Sequence, residues 1–121
     1  MPVSVLICDD SNMARKQLLR LLPEAWQALV TQAGNGREGL EVIRAGKGEL
    51  IFLDLTMPEL DGYEVLQHMR REGLGGKVIV ISADIQPEAR ARVLALGAIE
   101  FIRKPIAPDV LLDVLQRQGL V

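Results

Sequence analysis

Five short runs of Val, Ile and Leu, over 3–8, 28–32, 50–53, 77–81 and 99–102, recur through this chain of 121 residues with helical stretches between them. Apolar runs this short and this continuous suit strands covered on both faces. The stretches between them repeat apolar residues at helical spacing: Ala14, Leu18, Leu21 and Leu22; Leu40 and Ile43; Val65, Leu66 and Met69; Ala89, Val93, Leu94 and Leu96. Val110, Leu111, Val114 and Leu115 close the chain in the same way. Asp10 or Ser11 can cap the first helix; Gly46, Gly48, Gly73 to Gly76 and Gly97 end the next three; Pro108 opens the last. The pattern is βα five times, an α/β chain whose right-handed crossovers require a parallel sheet. A flavodoxin-like, doubly wound order 2-1-3-4-5 is expected, in one domain spanning 1–121. Such a length buries about two thirds of the unfolded surface.

Reactive side chains collect at one end of these runs. Asp9 and Asp10 follow VSVLIC, Asp54 follows LIFL, Ser82 follows KVIVI, and Lys104 follows EFIR. Parallel strands all end on the same edge, so these groups converge although they are distant in sequence. With the first and third strands adjacent, about 4.8 Å apart, Asp9, Asp10 and Asp54 meet. Two carboxylates about 4 Å apart repel by about 4 kcal/mol at an effective dielectric of about 20, so three call for a cation. An oxygen-only ligand set favours Mg²⁺, or Mn²⁺, over zinc. Ser82 offers a hydroxyl to a phosphoryl oxygen, and Lys104 a compact positive charge to neutralise one. The second strand, ending at Ala33 and Gly34, lies at the sheet edge and is expected to bring nothing.

Charge is nearly balanced, Lys+Arg 14 against Asp+Glu 16, with no basic run, so direct nucleic-acid binding is not expected. No apolar stretch approaches the roughly 20 residues that cross a bilayer, so membrane insertion is not expected either. A single Cys8 forms no internal disulfide, and no charged n-region precedes an apolar h-region, which fits a cytoplasmic protein. Cys8 reads as a packing residue. His68 reads as a solvated helix residue without an acidic motif beside it, and Trp26 as partly buried near the second strand.

These residues resemble the receiver domain of bacterial two-component response regulators, and the chain is similar in size to the stand-alone chemotaxis type. The resemblance covers nearly the whole chain. It rests on Asp9, Asp10 and Ser11 with Arg15 one turn later, Asp54 in DLTMPELDG, Ser82-Ala83, Gly97-Ala98, Phe101 and Lys104-Pro105. It implies that Asp54 accepts a phosphoryl group from a phosphohistidine. Asp9 and Asp10 would hold Mg²⁺, with the Thr56 backbone carbonyl as a further ligand; Lys104 would contact the phosphoryl oxygen, and Ser82 would move toward it. Phosphoryl transfer needs mainly positioning and charge neutralisation, which this set offers. The implied partners are a sensor histidine kinase or phosphotransfer protein upstream, and an effector protein or an output domain outside this sequence downstream. Catalysis would extend only to the chain's own aspartyl phosphate.

An added phosphoryl group brings about 1.5 to 2 negative charges. With Ser82 drawn toward it, the vacated space would admit the Phe101 ring. Burying a Phe is worth about 1.5 to 3 kcal/mol, short of the roughly 5.5 kcal/mol that inverts a 1:99 population, so a biased equilibrium is expected. The resemblance puts the readout on the fourth helix, fifth strand and fifth helix, here with Arg90, Val93, Ile99 and Phe101. Ser82 stands where Thr is more frequent, and Phe101 lacks the hydroxyl of the commoner Tyr. Thr56 and Asp84 occupy two positions that tune phosphoryl lifetime; an acid at Asp84 could orient an attacking water or repel it.

Taken singly, Asp10 and Ser11 read as a helix cap, Asp54 as a turn-former before Pro58, and Lys104 as a solvated lysine. Their shared edge separates them from that reading. A phosphatase of the haloacid dehalogenase type also places an aspartate after an apolar strand, but the second acid of its motif is missing after Asp54-Leu55-Thr56. A flavodoxin-like FMN carrier would need a phosphate loop rich in Ser, Thr and Gly after the first strand. A degenerate receiver that serves only as an interaction module would not need all five key side chains. The chain ends at Val121 after the last helix, which fits a complete regulator and a receiver piece of a longer protein equally.

Overall fold

Strands Val5–Cys8 (β1), Val30–Ala33 (β2), Leu50–Asp54 (β3), Lys77–Ser82 (β4) and Glu100–Arg103 (β5) pair in parallel in the order β2-β1-β3-β4-β5. The structure, a computed structural model, describes residues 3–84 and 86–121. Helices Asn12–Leu21 (α1), Glu24–Gln27 (α2), Gly36–Arg44 (α3), Gly62–Glu72 (α4), Pro87–Ala95 (α5) and Pro108–Arg117 (α6) cover the two faces. Alternate strand residues feed different cores. Leu6, Cys8, Ile51, Leu53 and Val80 pack with residues of α3, α4 and α5; Val5, Ile7, Phe52, Ile79 and Ile102 pack with α1, α2 and α6. Because both faces are buried, the central strands carry no polar alternation.

The expected fivefold repeat gains one helix. Pro23 opens the single turn α2, which drops Trp26 to 2% exposure against α1 and α6. Four residues are too few for a helical period to show in sequence. Trp26 is thus fully rather than partly buried. The turn also takes Ala28 as its C-cap, so β2 starts at Val30 rather than at 28. Pairing of β1 starts at Val5, and Val3 is left exposed. Leu94 and Val110, both assigned to apolar helix faces, are exposed. His68 does have an acidic neighbour: its Nδ1 lies 3.2 Å from Glu72 Oε2, one helical turn on. Glu72 also accepts from Arg44 at 2.8 and 2.6 Å, which ties α4 to α3.

Local chemistry sets the helix starts that frame the strand ends. Ser11 Oγ accepts the Ala14 N–H at 3.1 Å, and Asp61 and Glu64 satisfy each other's backbone N–H groups in a capping box. A Cβ on Gly62 would lie 2.4 Å from the Asp54 carbonyl oxygen, and one on Gly36 only 2.0 Å from that of Leu60. Those contacts let α3 and α4 close directly onto the segment that follows Asp54. Among the described residues no helix is long and apolar enough to cross a membrane.

Candidate functional site

Sheet register brings the acids together. Cys8 pairs with Leu53, so Asp9 and Asp54 leave adjacent strands at the same level. Asp9, Asp10 and Asp54 each offer a carboxylate oxygen, all within 4.8 Å of one another. Asp9 and Asp54 are buried at 6% exposure, whereas Asp10 is exposed. On the other side, Ser82 pairs with Arg103, and the Lys104 N–H donates to the Ser82 carbonyl at 2.9 Å. Lys104 thereby projects from the end of β5 and donates from Nζ to Asp9 Oδ2 at 2.8 Å, with Asp54 Oδ1 at 3.6 Å. The Lys104–Pro105 bond is cis.

The two buried carboxylates are further anchored by backbone. Asp9 Oδ1 accepts the Ser11 N–H at 2.9 Å, and Asp54 Oδ1 accepts the Leu55 N–H at 2.9 Å. Burial and then the Asp9 charge still lift the Asp54 carboxyl from 3.8 to about 6, against the opposing pull of Lys104. It therefore remains mostly ionised at neutral pH. Burial lowers the Lys104 ammonium, but the hydrogen bond to Asp9 and the charges of Asp54 and Asp9 outweigh it and leave the lysine above its ordinary value. Three acids facing one ammonium leave negative charge in excess, and every donor is an oxygen. That set fits a hard divalent cation that retains water. Cys8, next in sequence, does not join it: burial, then Asp9 and Asp54, push its thiol up to about 12.

Ser82 is buried at the end of β4, and its Oγ accepts the Asp84 N–H at 3.0 Å. Phe101, opposite Val80 on β5, is half-buried against the core on the α3, α4 and α5 side. Thr56 and Asp84 are exposed beside the site. Of the residues that the family resemblance assigns to readout, Arg90 is exposed, Ile99 and Phe101 are half-buried, and Val93 is wholly buried.

Two contacts near the site were absent from the sequence reading. Arg15 hydrogen-bonds the Asp9 carbonyl, and its Nε donates to Gln32 Oε1 at 3.0 Å, so β2 does contribute a side chain at this edge. Hydropathy does not mark this contact, because Thr31 beside Gln32 is polar as well. On the far side, the Arg92 guanidinium stacks 3.9 Å from the centroid of the Tyr63 ring, joining α5 to α4.

Residues 5–116 match the family model described as the response regulator receiver domain. The chain belongs to this receiver family of two-component response regulators. This receiver is 34% identical over 119 residues to the nitrate/nitrite response regulator protein NarL of Escherichia coli K12, covering 96% of this chain and 54% of NarL. The chain therefore spans about half of that relative's length. It is 31% identical over 113 residues to the chemotaxis protein CheY of Thermotoga maritima, covering 93% of this chain and 94% of CheY. Among solved structures, Vibrio cholerae chemotaxis protein CheY4 superposes with a TM-score of 0.82 at 28% identity, over 97% of this chain and 98% of that one.

Proposed function

We propose that this receiver takes a phosphoryl group onto Asp54 from a phosphohistidine of a sensor kinase or phosphotransfer protein, with Asp9, Asp10, Asp54 and the Thr56 carbonyl serving a Mg²⁺ ion. The observation that carries this reading is Lys104 Nζ, 2.8 Å from Asp9 and 3.6 Å from Asp54: a fixed positive charge beside a mostly ionised nucleophile. An Asp54 oxygen attacks phosphorus as the bond to the donor imidazole nitrogen breaks; that nitrogen keeps the bonding pair, and the ring, already protonated on its other nitrogen, leaves as neutral imidazole. Asp9, Asp10 and Asp54 would hold Mg²⁺, which would supply charge neutralisation during the transfer. Lys104 then turns its ammonium to a phosphoryl oxygen, and Ser82 exchanges the Asp84 N–H for another.

A groove of about 680 Å³ opens from Asp9 and Lys104 along α1, lined by Ala14, Leu18, Leu21 and Ile106 together with Gln17 and Arg20, and offers the donor protein a mixed surface beside those two residues. Output follows from Ser82 and Phe101 through α5, β5 and α6, the added turn α2 having shifted the helix numbers by one. Arg90 would touch the effector directly, and the buried Val93 would act through packing. Thr56 and Asp84, exposed beside the site, set the phosphoryl lifetime. The chain turns over no external substrate in this reading and works in the cytoplasm.

Incubation with Mg²⁺ and acetyl phosphate, followed by intact mass measurement, tests this. One base-labile phosphoryl group is expected on the wild type and none on Asp54→Asn or after EDTA. Undiminished labelling of Asp54→Asn would overturn the assignment.

A further inference from the structure

We propose that Arg15 is a positioning residue for the cation site, holding in place the main chain that presents Asp9 and Asp10. The inference rests on the proposed cation-binding role of those acids. From one guanidinium on α1, Nη1 donates to the Asp9 carbonyl, Nε donates to Gln32 Oε1 at 3.0 Å, and Nη2 donates to Asn12 Oδ1 at 3.1 Å. One planar group thus joins the end of β1, the edge strand β2 and the first turn of α1. A Cβ placed on Gly34 would lie 3.6 Å from Arg15 Nη1, so the end of β2 also runs beneath this group.

Asp9 is held in two distinct ways. Its carboxylate bonds Ser11 N–H and Lys104 Nζ, while its backbone bonds Ala33 through N–H and Arg15 through C=O. A cation on Asp9 would compete with Lys104 for Oδ2. It would leave the backbone bonds alone. Arg15 therefore fixes the ligand segment both before and after a cation arrives, and Gln32 and Asn12 fix Arg15. An ammonium could not replace it, because Lys offers a compact charge where this site uses a flat fork bonded in three directions.

Charge and position predict opposite results, which makes the role testable. Removing a positive charge beside three acids strengthens cation binding if charge alone matters. Releasing the ligand segment weakens it; groups that orient metal ligands typically contribute about 10- to 100-fold in affinity. The test measures Mn²⁺ binding to the full chain by electron paramagnetic resonance, for wild type, Arg15→Ala, Arg15→Lys and Gln32→Leu, with melting temperatures in parallel. The expected result is a Kd raised about 10-fold or more in both Arg15 variants and about threefold in Gln32→Leu, which keeps every charge.

Unchanged or tighter Mn²⁺ binding by Arg15→Ala would overturn the proposal. Should that variant fail to fold, Arg15→Lys and Gln32→Leu decide: binding by both within about twofold of wild type contradicts a positioning role. Failure of the underlying reading looks different. Wild-type protein that does not bind Mn²⁺, or binds it equally well as Asp10→Ala, refutes the acidic site itself before any Arg15 variant is compared.

Discussion

Lys104 bonds Asp9 at 2.8 Å and stands 3.6 Å from Asp54, so its ammonium is committed to a proposed cation ligand and only close to the proposed nucleophile. A cation sharing Asp9 would release the lysine toward Asp54. In the proposed mechanism the resting ion pair competes with cation binding and leaves the lysine ready for phosphoryl contact. Lys104→Ala is predicted to bind Mg²⁺ about 10-fold more tightly, because a competing charge is gone, while gaining little affinity for a partner on phosphorylation. Isothermal titration with Mg²⁺ and a partner-binding assay check the two halves separately.

Asp54 links the site to stability. Its carboxyl titrates at about 6 in the fold against 3.8 when free, so the stabilisation is complete below 3.8 and is lost as pH rises through about 6. Ionisation inside the fold then costs about 3 kcal/mol. Without divalent cations, Asp54→Asn should be more stable than wild type by up to about 3 kcal/mol near pH 7, and the difference should vanish near pH 3.5. Saturating Mg²⁺ should narrow it at pH 7. Urea unfolding followed by the single Trp26, buried at 2% exposure, measures this directly.

The proposed switch can be read from two rings. Phe52 is buried within the sheet and Phe101 is half-buried, and these are the only phenylalanines. With ¹⁹F-labelled Phe, phosphorylation should redistribute the Phe101 signal between two environments without emptying either, since the ring is already half-buried and completing its burial gains less than the about 1.5 to 3 kcal/mol of a full burial. The Phe52 signal should stay in place. In Ser82→Ala the Phe101 response to phosphorylation should shrink. A Phe101 signal indifferent to phosphorylation would contradict the switch.

The segment after Asp54 carries local strain. Glu59 has φ 67°, and the Leu60 N–H donates to the Pro58 carbonyl at 2.8 Å across it. A side chain in this left-handed region is costly where Gly is not. The Arg37–Glu59 ion pair, at 3.6 Å with both side chains more than half exposed, offsets little of that. Glu59→Gly should therefore raise stability by about 1 kcal/mol in thermal unfolding.

Why some of this was legible in the sequence follows from the kind of interaction involved. Buried parallel strands need continuous apolar runs, and strand ends share one edge, so Asp9, Asp54 and Lys104 could be brought together by topology alone. Ser11 announced its helix start because a cap is a local interaction. Trp26 hid its own turn: four residues with one aromatic carry no period. Arg15 on α1 and Gln32 on β2 meet through a side-chain hydrogen bond that leaves no trace in hydropathy. Leu94 and Val110 sit in apolar stretches but are exposed, because spacing fixes a helix stripe only to within about one position.

The proposed phosphotransfer, the lysine exchange and the Arg15 clamp all require one cation shared by Asp9, Asp10 and Asp54. Anomalous diffraction from crystals soaked in Mn²⁺ locates that ion. A single peak within coordination distance of oxygens from all three carboxylates, lost in Asp10→Ala crystals, is the predicted result. A fully occupied peak elsewhere, with none between these acids, would contradict it.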